Sequence, residues 1–234
     1  MNNEILVLSI TAASTGFIHT LAGPDHYLPF IVLARARQWT FIRTAWITFL
    51  CGLGHVGTSV IIGMIGVALG IGMEHIEGLR GSIAAWILVV FGFLYMLWGI
   101  NRAIHNKTHK HFRFHQDGMV HVHEHAHVED HEHEHKAEKI FNYTPWVLFI
   151  IFFLGPCELL IPQMMVPAAE KNIPGVVIVA AVFSVFTILT MMAIVLLTTY
   201  VLKPVSFGRL EKYSHAIAGA IIFLSGCAII LLGL

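Results

Sequence analysis

The chain has 234 residues, of which 56% are hydrophobic and only 12% are charged, and its mean hydropathy is +0.75. This composition is typical of a multi-spanning membrane protein and excludes an ordinary soluble domain. Acidic and basic residues balance at 14 each, so the net charge does not favour a nucleic-acid partner. The sequence has no phosphate-binding Gly-Lys-Ser/Thr loop, and we expect neither enzymatic activity nor a permanently bound cofactor.

Six apolar runs are long enough to cross a lipid bilayer, which takes about 20 residues of helix. They lie at about 5–33, 44–72, 81–100, 144–168, 174–202 and 214–233. The sequence therefore predicts an all-α integral membrane protein with six transmembrane helices.

The basic residues predict the orientation of these spans. Only Arg80 and Lys171 are predicted to lie in the loops after the second and fourth spans. Since cytoplasmic loops carry the excess of Lys and Arg, we expect a protein of the cytoplasmic membrane with both termini outside and the long middle loop in the cytoplasm. The other 12 basic residues fall in the loops after the first, third and fifth spans: Arg35, Arg37, Arg43, Arg102, Lys107, Lys110, Arg113, Lys136, Lys139, Lys203, Arg209 and Lys212.

The first apolar run is interrupted by Gly23-Pro24. Proline removes a backbone donor and disfavours helical geometry at the residue before it, and this run is longer than a straight span needs. We expect one half-helix to end near Ala22 and a second to start with Pro24 at its first position. Carbonyl groups at the end of the first half can then face a cation, while Asp25 lies at the positive end of the second half. A simple proline kink is the alternative.

A similar motif, Gly155-Pro156-Cys157-Glu158, occurs 132 residues later (155 − 23) in the fourth run. The offset divides the chain into a first three-helix repeat at 1–100, a loop at 101–143 and a second three-helix repeat at 144–234. Because each repeat has an odd number of spans, the two must be inverted relative to each other, as in many secondary transporters with a binding site between the repeats. Helices 1 and 4 are thus predicted to be broken. A chance resemblance of two helix kinks is the alternative.

Residues that can bind metal surround both motifs. A carboxylate at the centre of a span costs roughly 2.5–3.5 kcal/mol, so two of them indicate a bound cation. Nitrogen, carboxylate and thiolate donors suit Ni²⁺, Co²⁺ or Zn²⁺ better than Mg²⁺ or Ca²⁺. The candidate ligands are His19, Asp25, His26 and His55 in the first repeat, with Cys157 and Glu158 in the second.

The spacing of His19 and His26 depends on the predicted helix break. His19 and His26 would lie about 10 Å apart along an unbroken helix, and the predicted break would bring them together.

Two other candidates have simpler interpretations. His55, in a Gly-rich stretch, can be a histidine that is hydrogen-bonded across a close helix contact, and Cys157 can be a small apolar side chain that fills space. His215, near the start of the last span, looks ordinary.

The middle loop is rich in histidine, holding 11 of the 16 histidines between Asn101 and Tyr143. It has almost no apolar residues, so it cannot bury a core, and we expect disorder in the absence of a ligand. Neutral imidazole is the commonest transition-metal ligand, which predicts an auxiliary metal-binding loop, with a solvated linker as the alternative. The alternating histidines are His121, His123, His125, His127, His131, His133 and His135.

These residues carry a family resemblance. The segment from His19 to His26 resembles the His-x4-Asp-His signature of the nickel/cobalt transporter family, although five residues separate His19 from Asp25. The segment 51–55 resembles the family's Phe-x-x-Gly-His motif, with Cys51 in place of Phe. Residues 154–157 lie where its Leu-Gly-x-Asp motif falls, with Cys157 in place of Asp. The Gly-Pro-Asp-His and Gly-Pro-Cys-Glu forms are more similar to a divergent branch of urease-accessory-like or sulfite-exporter-like membrane proteins.

The resemblance and the ligand set together predict a secondary transporter of Ni²⁺ and/or Co²⁺, with Zn²⁺ as a further candidate ion. The direction of transport stays open, and the cytoplasmic histidine loop favours efflux slightly. One alternative is a membrane thiol-redox carrier of the cytochrome-biogenesis type, which needs matched cysteines in the two halves. Another is an exporter of an anion such as sulfite, which needs Arg or Lys within the spans, where the predicted boundaries place none. Besides the lipid bilayer and the divalent ion, the sequence is compatible with a homo-oligomeric partner.

Overall fold

The computed structural model describes residues 3–70, 74–105, 110–114, 120–124, 143–155, 157, 159–202 and 208–232. Within this part of the chain the architecture is helical, apart from a short two-stranded hairpin between the fourth and fifth helices. The helices are α1 (Asn3–Ala22), α2 (Leu28–Ala36), α3 (Phe41–Leu69), α4 (Glu74–His105), α5 (Thr144–Leu154), α6 (Leu160–Ala169), α7 (Ile173–Leu202) and α8 (Ser214–Leu232). Two 3₁₀ segments, Pro24–His26 and Gly208–Tyr213, precede α2 and α8.

Five of the described helical segments are long and apolar enough to cross a membrane: Asn3–Ala22, Phe41–Leu69, Gly78–His105, Ile173–Leu202 and Leu210–Leu231. The predicted fourth span is divided between α5 and α6, which have 11 and 10 residues and are each too short to span alone. The chain is therefore a multi-pass membrane protein in character. The number six and the inverted relation of the repeats stay predictions.

The predicted break in the first apolar run is confirmed. Helix α1 ends at Ala22, and Pro24 occupies the first position of the 3₁₀ turn. The expected second half-helix begins later, at Leu28, because the turn closes with bonds three residues apart: the amide of His26 donates to the Gly23 carbonyl and that of Tyr27 to the Pro24 carbonyl. The first span thus consists of a 20-residue helix, a tight turn and a 9-residue helix.

The boundaries of α3 follow from local chemistry. Thr40 caps its start, since its hydroxyl accepts a hydrogen bond from the amide of Arg43 at 3.2 Å. Gly70 ends it in the left-handed conformation, with φ of 64°, where glycine carries no steric penalty. The resulting 29-residue helix places His55 near its middle.

Helices α4 and α8 are packed unusually closely. A Cβ atom at Gly92 or Gly99 would overlap the backbone of α8 at Phe223 or Ala216, and one at Gly219 would overlap the backbone of α4 at Met96. Such close approach of small residues is a common way for helices to associate within membranes, where no hydrophobic driving force operates between them. This pair forms one side of the cavity described below.

The apolar interior consists of two clusters. One contains Phe30, Cys51 and Leu148 and is formed by α2, α3, α4, α5, α7 and α8. The other contains Ala12 and Cys157 and is formed mainly by α1, α3, α6 and α7. Many large apolar side chains on the outer faces of the helices are exposed, as expected where lipid rather than water covers the surface.

The predicted histidine loop lies mostly outside the described residues. Strands β1 (Lys110–Phe114) and β2 (Val120–Glu124) form an antiparallel hairpin, in which His121 pairs with Arg113 and His123 with His111. These strands were not predicted, although the alternation of apolar and polar residues in β2 is the usual sequence signal for a strand. The predicted ligands His125, His127, His131, His133 and His135 fall outside the described part.

Candidate functional site

Three imidazole rings from two separate spans meet at the break in the first span, and we call them the histidine cluster: His19, His26 and His55. The ring centroids of His19 and His26 are 4.8 Å apart, and those of His26 and His55 are 5.1 Å apart. Both pairs meet edge to face, at 80° and 84°. The break has therefore brought His19 and His26 together as predicted, and α3 supplies the third ring.

The tight turn at Gly23 makes this arrangement possible. A Cβ atom on Gly23 would lie 2.6 Å from the Nδ1 of His26 and 2.9 Å from the Oδ1 of Asp25. Real side chains do not approach so closely, so only glycine leaves room for the rings and the carboxylate at this point. The motif around Pro24 thus supplies both a helix break and the space for the candidate ligands.

His26 is held by oxygen acceptors on one side of its ring. Its Nδ1 lies 3.3 Å from the Oδ1 of Asp25 and 3.2 Å from the carbonyl oxygen of Gly23. Both partners accept hydrogen bonds, so Nδ1 carries the proton, and in the neutral ring the lone pair is on Nε2. His26 is 4% exposed, whereas the carboxylate side chain of Asp25 is 27% exposed.

His55 has the same kind of anchor. Its Nδ1 lies 3.3 Å from the carbonyl oxygen of Phe152, in the last turn of α5, and donates to it. The neighbouring Gly155 packs closely here, since a Cβ atom on it would lie 3.3 Å from the same nitrogen. The interpretation of His55 as a hydrogen-bonded histidine at a close helix contact therefore holds for Nδ1, while Nε2 is left with its lone pair in the neutral ring.

One nitrogen of each ring in the histidine cluster has no hydrogen-bond partner in the part of the chain that the structure describes. Within the described residues, the Nε2 atoms of His19, His26 and His55 are all buried without a hydrogen bond. Buried polar atoms are nearly always satisfied in proteins, so three such atoms in adjacent rings need an explanation. Among the described residues, no group of three or more His, Cys, Asp or Glu side chains is already arranged to hold a metal ion, so ligation by the histidine cluster would require its rings to draw closer together around the ion.

The histidine cluster lines a cavity of about 550 Å³. Asp25 and Gly23 contribute to its wall from the turn, and Gly155 contributes from the end of α5. Helix α4 provides Ser82 and Trp86, and α8 provides Ile229. The cavity therefore joins the two broken spans to the closely packed α4–α8 pair, in the manner expected of a membrane binding site with a few polar groups in an apolar wall.

The second Gly-Pro motif, at 155–158, differs from the first in how its described residues are placed relative to the cavity. Cys157 is fully buried in the apolar cluster with Ala12 and is not among the described residues that line the cavity. Its amide donates to the hydroxyl of Ser59 at 3.0 Å, which ties the break to α3. The structure therefore supports the interpretation of Cys157 as a packing residue. Glu158 lies outside the described residues.

Arg80 corrects one expectation from the sequence. Helix α4 begins at Glu74, so Arg80 belongs to a helix and to the apolar segment Gly78–His105 rather than to a loop. Its Nη2 donates to the hydroxyl of Thr58 at 2.8 Å, to the carbonyl of Phe153 at 2.9 Å and to that of Gly155 at 3.4 Å. The predicted span at 81–100 was too short, because α4 extends beyond it at both ends.

A second polar cluster connects α2 with α4 and α8. The Nε of Arg37 donates to the Tyr95 hydroxyl at 3.1 Å, which in turn lies 2.8 Å from the Nδ1 of His215. The guanidinium groups of Arg37 and Arg102 lie 5.7 Å and 5.3 Å from the ring of Trp98. His215, which looked ordinary in the sequence, thus belongs to a hydrogen-bond chain, although none of these residues lines the cavity of the histidine cluster.

Comparison with known proteins adds no relative. No family model, no curated protein and no solved structure matches this chain. The resemblance to nickel/cobalt transporters therefore depends on the motifs quoted above.

Proposed function

We propose that this chain is a secondary transporter of divalent transition-metal ions, Ni²⁺ and/or Co²⁺, across the cytoplasmic membrane. The observation that carries the proposal is the histidine cluster, in which three buried Nε2 atoms have no hydrogen-bond partner among the described residues and lie near the carboxylate of Asp25. The anchors of His26 and His55 on Nδ1 leave each Nε2 as a free lone pair in the neutral ring, which is the form in which histidine binds a metal.

The energetics favour a ligand of this kind. A buried polar atom without a partner costs about 1–3 kcal/mol, so three in one place are a sizeable cost. A cation that accepts their lone pairs removes it. Metal-binding histidines usually donate their other ring N–H to a carboxylate or a backbone carbonyl, and His26 and His55 do so to Asp25, Gly23 and Phe152.

The donor set indicates the class of ion. Imidazole nitrogens suit Ni²⁺, Co²⁺ and Zn²⁺, whereas Mg²⁺ and Ca²⁺ prefer oxygen donors. Asp25 supplies negative charge in an apolar setting, where it helps to neutralise a divalent ion. We also propose that Glu158 supplies a second carboxylate from the inverted repeat, in keeping with its place in the second Gly-Pro motif.

The direction of transport depends on whether ion movement is coupled to a counter-flow of another ion. With the cell interior negative by 100 mV, exporting two positive charges costs about 4.6 kcal/mol, at roughly 2.3 kcal/mol per charge. Uptake therefore runs downhill, whereas export needs a counter-flow, for which protons exchanged at the same histidine and aspartate groups are suitable. A histidine-rich loop on the cytoplasmic side favours export slightly, because it collects ions on the side from which they leave.

The two alternative functions have less support. A thiol-redox carrier needs cysteines that can meet, but Cys51 and Cys157 lie in different apolar clusters. An anion exporter gains one interior cation in Arg80, yet this guanidinium donates to carbonyl oxygens and a hydroxyl. Among the described residues that line the cavity, the buried side-chain atoms without a partner are histidine nitrogens, which favours a cation.

The test is a flux assay for Ni²⁺, Co²⁺ and Zn²⁺ in proteoliposomes made with the wild type, Asp25→Asn and His26→Ala. We expect each variant to lose more than about 10-fold of its flux at low ion concentration, since altering even the groups that support metal ligands costs 10–100-fold in affinity. His75→Ala is the matched control, because His75 is exposed and outside the cavity. Unchanged flux in both site variants would contradict the proposal.

A deletion of residues 117–135 separates the role of the loop from that of the membrane site. We expect this variant to keep its maximal flux and to need a higher ion concentration for half-maximal flux, because the loop collects ions and the histidine cluster moves them. Loss of all flux from the deletion, with the protein still folded by circular dichroism, would assign the primary site to the loop instead.

A further inference from the structure

Arg80 connects three elements beside the histidine cluster. Its guanidinium, from α4, donates to Thr58 on α3 and to the carbonyls of Phe153 and Gly155 at the end of α5. Carbonyls at the end of a helix lack partners within it, and a positive charge there is favourable because of the helix dipole. Arg80 therefore caps the broken end of α5 and fastens it to its neighbours.

The same end of α5 holds His55. The carbonyl that accepts from the Nδ1 of His55 belongs to Phe152, one residue before the Phe153 carbonyl that Arg80 binds. Thr58, the third partner of Arg80, is three residues after His55 on α3. A guanidinium that fixes both Phe153 and Thr58 thereby fixes the distance between the His55 ring and its acceptor.

We propose that Arg80 is a positioning residue for the histidine cluster, which acts by holding the end of α5 so that His55 donates through Nδ1 and presents Nε2 to the ion. This inference rests on the proposed transport function. In this role Arg80 acts through the three bonds that its Nη2 donates to Thr58, Phe153 and Gly155, and its substitution should alter ion binding through His55.

The experiment measures Co²⁺ binding to the purified, full-length protein by its visible absorption. We expect Arg80→Gln to weaken Co²⁺ binding by about 10-fold, the lower end of the range for residues that support metal ligands, and Arg80→Lys to recover part of the loss. Arg43→Gln is the matched control, because Arg43 is an exposed arginine at the start of α3 that lies over Trp39 and should bind Co²⁺ as the wild type does.

A double-mutant cycle tests whether Arg80 acts through His55. In the His55→Ala background, Arg80→Gln should cause no further loss of Co²⁺ affinity, since the ring that Arg80 positions is gone; residues that act independently would give additive losses. An equal loss in both backgrounds would overturn the inference, because it would show that Arg80 affects binding by a general effect on the fold.

A measurement without metal distinguishes this inference from the proposed function. The ¹⁵N spectrum of the His55 ring should show the Nδ1–H form in the wild type and a mixture of the two neutral forms in Arg80→Gln. If the wild type binds no Co²⁺ but this change is observed, the transport proposal fails and the positioning role stands. If the ring keeps the Nδ1–H form in Arg80→Gln, the positioning role is wrong whatever the metal data show.

Discussion

The two Gly-Pro breaks are nearly the same in sequence but differ in chemistry. At the first break, the turn after Gly23 presents side chains, since Asp25 and His26 face the cavity with His19. At the second, the described residues present backbone: the carbonyls of Phe152, Phe153 and Gly155 accept from His55 and Arg80. A repeated motif can thus give one half of a site its ligands and the other half the means to hold them.

Substitution of Gly23 by alanine is the strongest test of this difference. The added Cβ atom would lie 2.6 Å from the Nδ1 of His26, so the ring must leave its place between Asp25 and the Gly23 carbonyl. We expect Co²⁺ affinity to fall by more than about 10-fold, as measured by visible absorption. Affinity close to that of the wild type would mean that His26 is not a ligand in its present position.

Gly155→Ala is the matching change at the second break, and we expect a smaller effect. Its Cβ atom would lie 3.3 Å from the Nδ1 of His55, a distance that a shift of a few tenths of an ångström relieves. Co²⁺ affinity should fall by only about 2–5-fold, below the 10–100-fold typical when a ligand's support is lost. If Gly155→Ala weakened binding more than Gly23→Ala, the proposed division of roles between the breaks would be wrong.

Cys157→Ser should have the smallest effect on ion binding. It places a hydroxyl in the apolar cluster, which costs about 1–3 kcal/mol of folding stability if the hydroxyl finds no partner, so a thermal melt in detergent should show a lower midpoint. The flux of Co²⁺ per folded molecule should remain within about 2-fold of the wild type, well below the 10–100-fold loss typical of groups that support metal ligands, because Cys157 does not line the cavity. Complete loss of flux at unchanged stability would instead favour a thiol-redox carrier.

The sequence predicted what depends on local geometry. The helix end at Ala22 follows from Gly23 and Pro24 alone, and the approach of His19 and His26 follows from that break. Neither conclusion needed knowledge of the rest of the fold, so this central part of the candidate site could be predicted from the sequence alone.

Features that depend on residues far apart in the sequence could not be predicted from it. The acceptor of His55 is 97 positions away, at Phe152, and the partner of Tyr95 at His215 is 120 positions away. Arg80 was placed in a loop because hydropathy follows side chains, while the helix is set by backbone bonds that continue through polar residues. Whether Cys157 binds or packs depends on which side of the break faces the cavity, which a single sequence does not encode locally.

The glycine contacts between α4 and α8 limit how the molecule can rearrange. With the backbone of each helix fitted into the other at Gly92, Gly99 and Gly219, neither helix can slide along its partner without a collision at the next residue. The two helices should therefore move as one rigid body in the proposed transport cycle, and the moving parts should be the half-helices that face this pair. A covalent cross-link between α4 and α8 should consequently leave the proposed cycle intact, whereas one between α4 and α5 should arrest it.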